Sequence, residues 1–344
     1  MDKKPETKKV IADTIMNKRQ ANPLRYNRYL KPQTEWGWQV AVYLYLAGIG
    51  SGAFAVGLLM EWLGYSPHSF RPMVLWGPIL VAIGALFLVL KLGVKRRFLN
   101  TIMNPGTSWL SRGFYILSVC IIIGTAVLVL SILESLGIDI SSLSPLLLAL
   151  DIIGFVFALA TAIYTGILIQ SVKHVAFWNT SFLPALFTVS SLSTGATAVI
   201  LSVLGYSALS ASVGYPDRLI NALTVTELIF IILEIIVLAL YLSSRYKVEE
   251  YGRDSVRLLL WGNLRRAFWV GIVTVGFVFP IILEIVHALL HRQDIILFTA
   301  GGFLLIGGFF LRYCVVYAGI KDEHPLQQLM DGQYMLRILR ETGG

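Results

Sequence analysis

Glu227 and Glu234 interrupt the apolar run 218–243, and Glu284 and His287 interrupt another at 266–290. Glu284 and His287 are three residues apart, so they share one helix face. Ionisable groups in such apolar surroundings are costly and need partners, which makes them the first candidates for chemistry. Carboxyl and imidazole groups within reach of one another exchange protons, and these four could form a relay. Arg312, well inside the run 295–320, is a partner of opposite charge. If both runs are helices, Glu234 and Arg312 lie at about the same depth, roughly 25 Å from one end. An ion pair between them is expected, with a structural clamp as its plainer role. Asp151, near the start of 145–170, and Glu61, at the end of 36–63, fall towards the other end.

A second set of groups is neutral. Gln39 and Tyr43 open the first apolar run, and Tyr164 falls late in the fourth, at a similar depth on the same side. Amide and phenol groups in an apolar slot can orient a polar group of an otherwise apolar ligand. The alternative reading is that both tyrosines belong to an interfacial aromatic belt. Other chemistry has weaker support. The two cysteines, Cys120 and Cys314, lie in apolar runs and read as buried, reduced thiols, since an iron–sulfur cluster needs four thiolates. Only His287 of the five histidines falls clearly within a run, whereas bis-histidine haem needs two that face each other. His174 reads as a loop histidine. No metal site is expected.

The elements that must position these groups are membrane helices. Of the 344 residues, 56% are hydrophobic and 14% charged, against about 25% charged in soluble domains. Eight runs are long enough to span a bilayer: 36–63, 72–92, 112–135, 145–170, 180–204, 218–243, 266–290 and 295–320. Trp36, Trp62, Trp109, Trp178 and Trp261 mark their ends, as an interfacial belt would. An even number of spans puts both termini on one side. That side carries 24 of the 28 Lys and Arg residues and the opposite side carries 3, so both termini are expected in the cytoplasm. The net charge of +8 is thereby a matter of topology and not of nucleic-acid binding. Residues 1–35 form a basic tail without the apolar stretch of a signal peptide, and residues 321–344 a second cytoplasmic tail.

The expected fold is all-α: eight transmembrane helices as two four-helix bundles, 36–170 and 180–320. Leu110–Tyr115 resembles Leu264–Trp269, and Tyr164–Gly166 resembles Tyr317–Gly319, at offsets of 154 and 153 residues. Two parallel halves would produce that. Small residues crowd Gly48–Gly52 and Ser190–Thr197, where helix backbones can approach closely.

Several stretches carry a resemblance to a known family. They are the glycine-rich run after the aromatic start of the first span, and Pro105, Ser108, Trp109, Ser111 and Gly113 leading into the third. With them go Tyr164, Thr165 and Gly166, followed by Trp178, Asn179, Thr180, Leu183, Pro184 and the run Ser191–Gly195. A late Gly307-Gly308-Phe309-Phe310-Leu311-Arg312 and Gly319 also fit. The chain resembles the NrfD/PsrC family of polysulfide-reductase-type membrane subunits. The resemblance implies an eight-helix subunit of a respiratory oxidoreductase complex. Such a subunit passes electrons between membrane quinone (menaquinone or ubiquinone) and an iron–sulfur, ferredoxin-like partner, beside a larger catalytic subunit of molybdopterin type. It implies no haem or iron–sulfur cluster in this chain, so the chain by itself is either non-catalytic or quinone-converting. Carried over by position, the quinone pocket is Gln39, Tyr43 and Tyr164. The partner is expected on the cytoplasmic loops 93–111, 171–179 and 244–264. The proton path, if protons are pumped, is Glu227, Glu234, Glu284 and His287. One departure is Lys91–Arg97, where the family often has an Asp and a Pro. The competing reading is an ion or solute transporter built from two four-helix repeats.

Overall fold

The computed structural model describes residues 33, 36–66, 70–92, 108–209, 216–248, 250–290 and 294–321. Most of both tails, the basic run Lys95–Arg97 and Arg292 lie outside the described residues. In chain order the helices are α1 (Trp38–Trp62), the single turn α2 (Arg71–Val74), α3 (Gly77–Leu92), α4 (Trp109–Ser135) and α5 (Ser144–Gln170). They continue with α6 (Phe182–Leu209), α7 (Asp217–Val248), α8 (Glu250–Leu260), α9 (Ala267–Leu289) and α10 (Asp294–Tyr317). Among the described residues there is no strand. A bilayer leaves the backbone no water to bond, so the protein satisfies its polar groups within helices.

Among the described residues, seven helices are long and apolar enough to cross a membrane. The expected second span, 72–92, is instead broken. Pro72 starts the short α2, the backbone leaves the helix at Leu75–Trp76, and α3 restarts beside Pro78. Proline lacks an N–H and disfavours helical geometry in the residue before it, which accounts for the interruption. α3 then runs unbroken for 16 residues to Leu92, where the described segment stops.

Sequence chemistry also sets the helix ends. α1 and α4 both stop at a glycine with positive φ, Gly64 at 75° and Gly137 at 85°. After each the backbone folds back: Tyr65 N–H donates to Met60 O and Ile138 N–H to Leu133 O. This closing bond satisfies carbonyls that a helix end leaves open. The first 12 residues of α9, Ala267–Val278, wind as a wide π-helix. The Thr274 hydroxyl donates to the Trp269 carbonyl five residues back.

The centre of the molecule is α1 against α6, the two helices buried over most of their length. α1 also packs extensively on α3 and α5, and α6 on α5, α7 and α10; α4 pairs with α5 and α9 with α10. The other long helices bury one face and turn Ile, Leu, Val and Phe outward, as lipid contact demands. At the α1–α6 crossing a Cβ on Gly52 would collide with the Ser191 carbonyl, and one on Gly195 with the Gly52–Ala53 backbone. Gly195→Val therefore forces the central helices apart and should lower stability by about 3 kcal/mol or more. Nothing lies within 4 Å of a Cβ at Gly205, so Gly205→Ala should be neutral or stabilising by up to about 1 kcal/mol. Unfolding midpoints of the purified variants in detergent check the pair.

Candidate functional site

Gln39 and Tyr43 lie one turn apart on α1, and Tyr164 on α5 comes close to Tyr43. Tyr43 and Tyr164 are fully buried, at 0% and 1% exposure. Their phenols are close enough to interact electrostatically, and neither hydroxyl finds a hydrogen-bond partner within the protein. Burying a hydroxyl without a partner costs free energy, which makes the pair a candidate place for a ligand's acceptor. Glycine makes the space: the Tyr164 ring occupies the position a side chain at residue 113 would take. Gly166 likewise lies against the Pro184 and Leu183 backbone at the start of α6. Gln39 is half-buried at the rim. A Cβ on Gly37 would stand 3.0 Å from its Oε1 and 3.9 Å from the Lys91 ammonium of α3. The start of α1 thus gathers an amide and a cation around Gly37.

The ionisable groups form two further clusters. In the first, the Thr197 hydroxyl donates to Glu227 Oε1 at 2.8 Å, and Glu284 acts electrostatically on Glu227 from α9. His287 is buried one turn beyond Glu284. In the second, Arg312 is 0% exposed. Its guanidinium donates to Ser190 Oγ at 2.6 Å, Gly308 O at 3.0 Å and Ser191 Oγ at 3.3 Å. It also lies over the Phe187 ring, 5.7 Å from the centroid. Glu234 faces Ser190 and feels the charge of Arg312. Its link to the guanidinium thus runs by way of the serine hydroxyl. The missing side chain of Gly48 lets this group touch α1, since a Cβ there would lie 3.1 Å from Arg312.

A third cluster joins groups that sequence reasoning left separate. Arg71, 2% exposed, bonds Asp151 of α5 and places its Nε 3.0 Å from Glu61 Oε2 of α1. The shared end of Glu61 and Asp151 was legible in the sequence, but their meeting at Arg71 was not.

A family model described as "Polysulphide reductase, NrfD" matches residues 28–321, most of the sequence. The chain belongs to the NrfD family. It is 25% identical to the C subunit of polysulfide reductase from Wolinella succinogenes over 314 residues, covering 83% of this protein and 94% of that one. It is 28% identical to protein NrfD of Escherichia coli over 309 residues, covering 83% and 94%. A NrfD homologue of Haemophilus influenzae is 26% identical over 325 residues, covering 84% and 95%. Membership of this family and the long apolar helices make the chain a multi-pass membrane protein, a membrane-anchor subunit of an oxidoreductase.

In this NrfD-family protein the segment 171–181 is pinned from both sides, another arrangement that spacing did not reveal. Trp178 Nε1 donates to Val315 O at 2.8 Å, against Gly319. Tyr241 donates to Phe177 O, and Arg245 to Ala176 O and Asn179 O. The motif residues Trp178 and Gly319 thus fix the connection between α5 and α6, one end of which carries Tyr164. Loop 244–264, expected as an open docking loop, contains the amphipathic helix α8.

Among the described residues no group of three or more His, Cys, Asp or Glu side chains is assembled to hold a metal ion. The Arg71 cluster carries a direct test. Arg71→Met leaves two carboxylates without their cation and should destabilise the protein by about 3–5 kcal/mol. Arg257→Met, at a half-exposed side chain with a 3.8 Å pair, should cost about 1 kcal/mol or less. Thermal unfolding in detergent compares them.

Proposed function

We propose that this protein is the quinone-reactive membrane subunit of a respiratory oxidoreductase complex. The observation that carries the reading is the pair of buried, unpartnered phenols, Tyr43 and Tyr164, with Gln39 at their rim. One relative is named as a lettered component of polysulfide reductase, which agrees with a complex of several subunits. A quinone, menaquinone or ubiquinone, carries two electrons and two protons between its oxidised and reduced forms.

The residues present suit such a ring. Two phenol O–H groups and an amide N–H offer donors for its carbonyl oxygens, with the phenols set among apolar side chains. Burial keeps water from competing for these bonds and strengthens them. Gly113 holds the Tyr164 ring in place by leaving it room. Lys91 at the rim favours negative charge near the slot.

The wider assignment follows the same reading. α3 is the eighth span, and the spans form two bundles, 36–170 and 180–320, joined along α1 and α6. The charge distribution orients both termini to the cytoplasm of a prokaryotic inner membrane. An iron–sulfur, ferredoxin-like subunit docks on the cytoplasmic segments 93–111, 171–179 and 244–264, backed by a larger catalytic subunit of molybdopterin type. This protein supplies no haem or cluster and exchanges electrons with the partner's. Glu234, Glu227, Glu284 and His287 provide a proton route through the second bundle, with Arg312 as the structural counter-ion of Glu234.

Quinone-linked turnover of the assembled complex tests the pocket. Tyr164→Phe and Gln39→Ala each remove a hydrogen bond to the ring and should lower kcat/KM for quinone about tenfold. Wild-type turnover and quinone affinity in both variants would refute the pocket.

A further inference from the structure

We propose that Glu227 and Glu284 form an occluded site for one monovalent cation, a proton or Na⁺, held between α7 and α9 with Thr197 of α6 as a third oxygen donor. The argument begins with helix packing. The α7 and α9 backbones make no extensive contact, although each packs closely on another neighbour. Each of these two helices buries a carboxyl. Glu227 is 1% exposed and Glu284 5% exposed. Glu227 receives the Thr197 hydroxyl at 2.8 Å. Both carboxyl oxygens of Glu284 are buried without a hydrogen-bond partner, and the group is near enough to act electrostatically on Glu227.

Two carboxylates in a dry interior cannot both stay ionised unless a positive charge joins them. The neighbouring arginine is engaged elsewhere. On α10, Arg312 is engaged by Ser190, Ser191 and Gly308, with Glu234 as the carboxylate next to it. Glu234 lies two turns along α7 from Glu227, and His287 lies one turn beyond Glu284 on α9. On α6 the Ser193 hydroxyl, between Thr197 and Ser190, is buried and also unpartnered. Ser190, Ser193 and Thr197 run along α6 in the opposite sense to Glu227 and Glu234 on the antiparallel α7. The hydroxyls therefore line the way from the Arg312 group to the carboxyl pair. Carboxylate and hydroxyl oxygens are suitable ligands for a hard monovalent ion, and one shared proton would serve the same electrostatic end.

The site uses two groups of the proposed proton route but does not depend on transport or on quinone binding. Its test therefore reads occupancy and not turnover. The detergent-purified complex is treated with dicyclohexylcarbodiimide, which adds to a protonated carboxyl in an apolar setting, and its peptides are weighed by mass spectrometry. A single adduct per chain is expected, at Glu227 or Glu284. Labelling should fall about tenfold per pH unit on its alkaline limb. Na⁺ at ten times its Kd should suppress labelling about tenfold if Na⁺ is the occupant, whereas a response to pH alone identifies a proton. In Glu284→Gln the carboxyl pair is broken, and labelling of Glu227 near neutral pH should drop about tenfold. Glu227→Gln should do the same to Glu284, and serves where the first variant does not assemble. Infrared absorption of a protonated carboxyl, lost in either variant, reads the site without a reagent. The proposal is overturned if neither residue is labelled and that absorption is missing. It is also overturned if both residues are labelled in one molecule, if labelling ignores both pH and Na⁺, or if each residue labels normally in the other's variant.

Discussion

The contact on which the molecule depends is the backbone-to-backbone approach of α1 and α6. In lipid no hydrophobic force separates helix from surroundings, so tight packing rests on small residues. Gly52 and Gly195 remove the side chains that would hold the two helices apart. Everything functional hangs from this seam. One face of α1 presents Gln39 and Tyr43 towards α5. Another, at Gly48 and Tyr45, receives Arg312 and α10: a Cβ at Gly48 would meet Arg312, and the Tyr45 hydroxyl donates to Leu305 O at 2.9 Å. From α6, Ser190 and Thr197 reach the two carboxyls of α7. A small shift of the seam would move the phenols and the charges together.

The buried cations are satisfied in contrasting ways. Arg71 is matched by two carboxylates from different helices, which ties α1 to α5 at the end opposite Tyr43. Arg312 is held by two hydroxyls, a carbonyl and an aromatic face, with Glu234 beyond the serine. The first arrangement is a clamp, since breaking it strands charge. The second leaves Glu234 facing both a hydroxyl and a cation, which suits a carboxyl that changes its proton. Arg245 shows a third manner, donating to the carbonyls of the segment it pins.

Much of the architecture was legible because apolar length and turn chemistry are local properties. The long helices lie within a few residues of the expected runs. α3 is the exception, for the prolines at 72 and 78 act against an apolar pattern that continues through them. The π-helical start of α9 left no mark in the apolar periodicity. Among the chemical groups, depth along a helix could be counted, so Tyr43 and Tyr164 were expected at one level, as were Glu234 and Arg312. What counting residues could not supply was azimuth. Whether Arg71 turns to Glu61 and Asp151, or Ser190 stands beside Arg312, depends on helix rotation and on which helices are neighbours. Gly113 illustrates the same limit: it was visible as part of a motif, while its purpose, room for the Tyr164 ring, is a three-dimensional fact.

The central claim is that quinone chemistry belongs to the phenol slot between α1 and α5, and not to the charged region between α6, α7, α9 and α10. A photoreactive quinone bound to the assembled complex, followed by peptide mapping of the crosslinks, addresses it most directly. The account predicts crosslinks within residues 36–47 and 157–168, competed away by unlabelled quinone. Competable crosslinks confined to 217–248 or 267–317 would contradict it.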